Sequence, residues 1–171
     1  IPKIEMVTWA IPGTTFLGQY INDGIIQSKT ISIGTKATTS TTTVASEFVP
    51  ITESPLTENI LSSTFDQKGQ RLFYLIKGGF GIEGYLSDAK GSGEKLMWEF
   101  PTTEWIAEWS GVDDVLLTSK AGNGIAGFAY LLNIKTKATS LVLADIQGLT
   151  TKPKQNKKTI KRRQNTSSIS R

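Results

Sequence analysis

Apolar and polar positions along this 171-residue chain alternate over short runs that are cut by Gly, Asn and Asp. Such alternation marks half-buried β-strands, because successive side chains of a strand point to opposite faces. Three runs share one plan: Trp9-Ala10-Ile11-Pro12-Gly13-Thr14-Thr15-Phe16-Leu17, Phe65-Asp66-Gln67-Lys68-Gly69-Gln70-Arg71-Leu72-Phe73 and Trp109-Ser110-Gly111-Val112-Asp113-Asp114-Val115-Leu116-Leu117. They align without gaps. Each opens on a large aromatic, has a turn-former four residues on (Gly13, Gly69, Asp113), and is apolar at its last two positions. The aromatic closes an inner strand, as at 6–9 and 106–109. A tight turn that favours Gly or Asp follows. The apolar run is then the paired strand, at 16–20, 72–76 and 115–118.

Third strands running into polar turns are predicted at 84–91 and 129–136, with 27–36 in the same slot of the first unit. Fourth strands are predicted at 95–100 and 140–143. The aromatic spacings are 65 − 9 = 56 and 109 − 65 = 44 residues. The second matches the roughly 40–45 residues of a four-stranded propeller blade. The first is longer by 56 − 44 = 12 residues, and the Thr/Ser-rich run 35–46 within it reads as an insertion or long loop. Pro50 and Pro55 argue against regular structure, so 47–58 reads as a connector. No helix longer than two turns is expected. The fold class expected is all-β: β-propeller-like blades of four antiparallel strands, an incomplete propeller of about three. A β-domain over 1–150 holds units at about 4–46, 59–104 and 105–149, and a disordered basic tail spans 151–171. An unrelated sandwich or barrel is the competing architecture.

Composition adjusts this picture at three points. The hydrophobic fraction of 38% excludes Gly, and the 16 glycines bring the chain up to the ordinary globular range, so a folded, turn-rich domain is expected. There is neither Cys nor His. Disulfides, thiolate metal sites, a Cys nucleophile and a Ser-His-Asp triad are thereby excluded within the chain. The formal charge of +4 is a sum of two unlike parts. Residues 151–171 hold eight of the 19 basic residues and none of the 15 acids, so 1–150 carry 11 − 15 = −4. No apolar run approaches the roughly 20 residues of a membrane-spanning helix. The start at Ile1-Pro2-Lys3, without an initiator Met, suggests upstream processing or a piece of a longer chain.

At the repeated residues the chain resembles the bacterial TolB-type, WD40-like propeller repeats, which run aromatic–Ser–x–Asp–Gly, then an apolar strand, then a strand ending in Asp-x-x-x-Gly. Phe65-Asp66-Gln67-Lys68-Gly69 and the following apolar strand match best, and Asp88-Ala89-Lys90-Gly91 fits the later turn. Trp109-Ser110 keeps the aromatic–Ser start with Asp113 in place of Gly, and Trp9-Ala10-Ile11-Pro12-Gly13 lacks both Ser and Asp. The resemblance covers about 5–149. It implies a rigid scaffold for protein contacts, in a bacterial envelope or outside the cell, or the propeller domain of a peptidase. It carries over no catalytic residue.

Candidate chemistry is sparse. Ser87-Asp88-Ala89-Lys90-Gly91 is similar to the Asp-box turn of sialidase-like propellers, but its spacing is wrong, and an ordinary Asp-containing turn is the better account. The glycine-rich stretch 78–84 could suggest a phosphate loop, which needs a following helix N-terminus; a strand pattern follows, so a hairpin loop is expected. Gly122 stands 13 residues after Trp109, as Gly78 stands 13 after Phe65, so the loops 77–84 and 120–127 lie at one end of the blades. Asp113, Asp114, Glu104 and Glu108 lack calcium-loop spacing and read as solvated acids. The tail over 152–163 could hold nucleic acid or an anionic surface, though no aromatic lies in 151–171 for base stacking.

The function expected is a non-catalytic propeller scaffold for protein–protein interaction, with an unidentified protein partner met by blade-end loops at 22–26, 77–84 and 120–127. Two alternatives stand beside it: part of the propeller domain of a larger peptidase or hydrolase, and nucleic-acid or anionic-surface binding through the tail. No cofactor, metal or catalytic residue is expected, and no particular binding residue is singled out.

Overall fold

Short alternating runs cannot bury an apolar face alone, so they pair into sheets and the sheets stack. The computed structural model describes residues 4–10, 13–34, 50–102, 104–119 and 127–144. These residues are all-β. They form three four-stranded antiparallel sheets, none closed into a barrel, and contain no helix. No helix among them is therefore long and apolar enough to cross a membrane. The first sheet holds β1 (Ile4–Trp9), β2 (Thr15–Asn22), β3 (Ile25–Ile33) and β4 (Ile51–Pro55). The second holds β5 (Ile60–Phe65), β6 (Arg71–Lys77), β7 (Ile82–Asp88) and β8 (Lys95–Phe100). The third holds β9 (Trp105–Trp109), β10 (Asp114–Ser119), β11 (Phe128–Asn133) and β12 (Thr139–Ala144). Each sheet is a meander in chain order.

The sheets stack as propeller-like blades. Their first strands lie side by side, β1 against β5 and β5 against β9. The second sheet is covered on both faces. Phe65, Leu72 and Tyr74 on one face pack with Ala10 and Leu17 of the first sheet. Phe73, Leu75, Met97 and Trp98 on the other pack with Trp105, Ala107, Val115 and Leu117 of the third. Polar links fix the stacking. Ser62 Oγ accepts the Ala107 N–H at 3.0 Å and Thr64 Oγ1 the Trp109 N–H at 3.2 Å. Gln19 donates to the Ile60 carbonyl at 2.9 Å.

The repeat extends to the irregularities. Ile4 and Met6 pair with the adjacent residues Tyr20 and Gln19, leaving Glu5 as an extra residue; Ile60 and Ser62 pair with Ile76 and Leu75, leaving Leu61. On the outer strands Met97 and Val142 are the extra residues at matching places. A β-bulge bends its strand and raises the local twist, so the first and second sheets share a bend in the inner strand and the second and third share one in the outer strand.

Two expectations are corrected. The segment 47–58 is not merely a connector: β4 pairs along β3 from Lys29↔Pro55 to Ile33↔Ile51 and completes the first blade. Its prolines are tolerated because Pro50 precedes and Pro55 ends an outermost strand, where an N–H is not required on both sides. The gapless alignment is also off by one in the third unit. Trp9 pairs with Phe16 and Phe65 with Leu72, but Trp109 pairs with Val115, so the third turn is one residue shorter. A one-residue slip exchanges the faces of a strand. Leu117, not Leu116, therefore points at the second sheet. The expected tail at 151–171 and the Thr/Ser run at 35–46 lie outside the described residues.

Candidate functional site

The two ends of the stack differ in what their polar groups leave unused. At the end formed by the β5–β6 and β9–β10 turns, Arg71 joins the second and third sheets. Asp66 Oδ2 accepts its Nε–H at 2.8 Å, and Asp66 Oδ1 takes the backbone N–H groups of Gln70 and Arg71 at 2.7 and 3.2 Å. Arg71 Nη1 reaches Asp113 Oδ1 at 3.0 Å and Nη2 donates to the Val112 carbonyl at 2.6 Å. Its guanidinium lies 4.9 Å from the centre of the Trp109 ring. Lys135 closes the set on Asp113 Oδ2 at 2.6 Å.

Burial pushes the Asp66 carboxyl up, but the Arg71 guanidinium and the two backbone donors outweigh it and hold it below the usual carboxylate range. Asp113 is held below that range by Lys135 and then Arg71. A cleft of about 310 Å³ opens here, lined by these residues with Gln67, Lys68 and Gly111. Arg71, Asp66, Asp113 and Lys135 are already satisfied by one another, so the cluster serves as a clamp between blades.

At the opposite end the groups are not spent in this way. The β6–β7 loop leaves the sheet at Lys77 and returns at Ile82, which pair with each other. Gly78 donates to the Gly81 carbonyl at 2.9 Å and holds the loop closed. A Cβ on Gly81 would lie 2.0 Å from the Phe100 carbonyl oxygen and 2.7 Å from Pro101 Cα, so only glycine lets the loop press on the end of β8. That contact forms a cleft of about 270 Å³ lined by Phe80, Gly81, Ile82, Glu83, Glu99, Phe100 and Pro101. Phe80 stands at its lip, 97% exposed. Glu83 and Glu99 sit directly opposite each other on β7 and β8. Like charges so placed repel. The Tyr85 hydroxyl donates to Glu83 at 2.9 Å, and this bond to the carboxylate raises the tyrosine pKa. Beneath the cleft, Phe100 packs on Trp98 and Trp105 with ring centres 5.5 and 4.9 Å away, so its apolar wall is anchored in the core.

The other sequence candidates resolve as follows. Asp88 Oδ1 accepts the backbone N–H groups of Lys90 and Ser92 at 2.9 and 2.8 Å, so Ser87-Asp88-Ala89-Lys90-Gly91 is an Asp-stabilised turn. Asp114 accepts from Asn133 at 2.9 Å, whereas Asp113 belongs to the clamp. Among the described residues, no three acidic side chains gather where a metal ion could be held. The expected loop at 22–26 is a tight one: Asn22 pairs with Ile25 across a two-residue turn in which Asp23 and Gly24 both have positive φ (50° and 80°). Residues 120–126 lie outside the described residues.

Sequence reasoning found the 77–84 loop but missed Glu99 and Pro101. The signal for them was the β7–β8 register, which sets Glu99 against Glu83 once the turn at 88–94 is counted. Comparison with protein-family models gives no match, and comparison with curated protein sequences gives none.

Proposed function

We propose that the chain is a non-catalytic scaffold of TolB-type blades that binds a protein partner through the cleft of its second blade, at the loop 78–81. The observation that carries the reading is the conjunction of the projecting Phe80 with the facing carboxylates Glu83 and Glu99 in one cleft. A single exposed apolar side chain needs no explanation by itself. Here it stands over an apolar wall beside two like charges that gain from a cation. The partner chemistry that fits is an extended segment with an apolar or aromatic side chain next to Lys or Arg. The cation would relieve the repulsion between the glutamates, and the apolar group would cover Phe80 and Pro101. The mildly acidic balance of residues 1–150 favours such a partner in the encounter as well.

A random peptide library displayed on phage, selected on the immobilised chain, tests this. Enriched peptides are expected to pair an aromatic residue with Lys or Arg, and to lose at least about tenfold in affinity on Phe80→Ala or on Glu83→Gln with Glu99→Gln, since tenfold is only 1.4 kcal/mol. Peptides that bind equally well to these variants would refute the reading.

A further inference from the structure

Among the described residues, the first and third sheets each have one open face, and the second sheet shows what such faces do. Positions are matched by strand pairing. Trp9 corresponds to Phe65, since each ends its strand and pairs with the second residue of the next. Val142 corresponds to Met97 as the extra residue of a bulge, and Leu143 corresponds to Trp98 beside it. In the second sheet these positions are buried: Phe65 is 7% exposed, Met97 7% and Trp98 8%. Their counterparts are open, Trp9 at 57%, Val142 at 56% and Leu143 at 54%. The open face of the third sheet is thus the counterpart of the face on which the second sheet receives its successor. The open face of the first is the counterpart of the face on which the second receives its predecessor.

We propose that a second copy of this chain covers both faces, the third sheet of each copy stacking head to tail on the first sheet of the other to close a ring. The contact continues the joint already formed between the second and third sheets, with the same positions facing one another. Stoichiometry follows from closure. Two copies bring 2 × 3 = 6 of the described sheets, within the roughly 4–8 blades of closed propellers, whereas three copies bring 3 × 3 = 9. A head-to-tail contact that closes after two copies places the twofold axis along the centre of the ring.

One polar detail follows. Thr64 Oγ1 accepts the Trp109 N–H across the joint between second and third sheets. The residue matching Thr64 in the third sheet is the exposed Glu108, paired with Leu116 as Thr64 is with Phe73. The residue matching Trp109 in the first sheet is Trp9, whose N–H faces the open edge of β1 because ladder hydrogen bonds alternate along a strand. The Glu108 carboxylate of one copy accordingly accepts the Trp9 N–H of the other.

Sedimentation equilibrium of the full 171-residue chain tests the proposal. The expected mass is 2 × 18.6 = 37.2 kDa at micromolar concentration. A species that stays at 18.6 kDa up to about 100 μM, or one heavier than a dimer, overturns it. Trp9→Glu and Leu143→Glu alter exposed side chains, so each blade should keep its fold, which circular dichroism checks. Each variant alone should be monomeric. Mixed, they should regain dimer, because each retains the face that the other lacks and one joint is then unaltered. A dimer that survives Leu143→Glu but not Trp9→Glu pairs two first sheets face to face and overturns the head-to-tail ring. Failure here leaves the cleft reading untouched, since no cleft residue lies on either open face.

Discussion

Arg71 on the second sheet and Asp113 in the turn that leads into β10 of the third, 42 residues apart in sequence, meet with Nη1 and Oδ1 3.0 Å from each other. The guanidinium is a planar fork that serves Asp66, Asp113 and the Val112 carbonyl at once, which a lysine ammonium cannot match in geometry. Replacing Arg71 leaves the buried Asp66 carboxylate without its cation. Arg71→Met is expected to cost about 3 kcal/mol, the range for breaking a buried ion pair on one side, and Arg71→Lys should recover only part of it. Urea unfolding of the three proteins checks this.

The same pair sets the response to acid. Asp66 ionises below its ordinary value of 3.8 in the folded chain. A depressed folded pKa gives stability that is present above the unfolded value and is lost as pH falls through the folded one. Thermal midpoints should therefore hold from neutrality down to about pH 4 and fall below it. Asp66→Asn should flatten that acid slope while lowering stability at pH 7.

Gly81 supplies a test of the loop that carries the cleft. A methyl group there meets backbone atoms of Phe100 and Pro101, which cannot swing aside as a side-chain tip would. Gly81→Ala is expected to destabilise by about 2 kcal/mol, in line with overpacking of a tight contact. It should also weaken peptide capture beyond what the stability loss explains. Gly79→Ala is the control, since a Cβ there meets nothing within 4 Å.

The shortened third turn is tested by two adjacent leucines. Leu117 is fully buried in the joint with the second sheet, while Leu116 is on the opposite, half-open face. Leu117→Ala should cost about 2–5 kcal/mol and Leu116→Ala distinctly less. The gapless register predicts the reverse order.

Strand type and the blade period were legible because alternation and the aromatic–turn–apolar plan are local properties. The register of the third hairpin was not, since Val115-Leu116-Leu117 is apolar on both faces and a run without alternation carries no phase. β4 was hidden by Pro50 and Pro55, which forbid a central strand but are harmless where one edge faces away from any partner. The Arg71 clamp joins residues whose proximity depends on the stacking of two sheets, and nothing local announces it. Of the cleft, the Gly81 loop was visible in the glycine pattern. The opposition of Glu83 and Glu99 depended on counting the β7–β8 turn.

The most direct test of the account is a nuclear magnetic resonance titration of the labelled chain with a selected aromatic–cationic peptide. Shift changes concentrated at Phe80, Gly81, Ile82, Glu83, Glu99 and Phe100 are the predicted result. Changes centred instead on Asp66, Arg71 and Asp113 at the opposite end of the stack would contradict it.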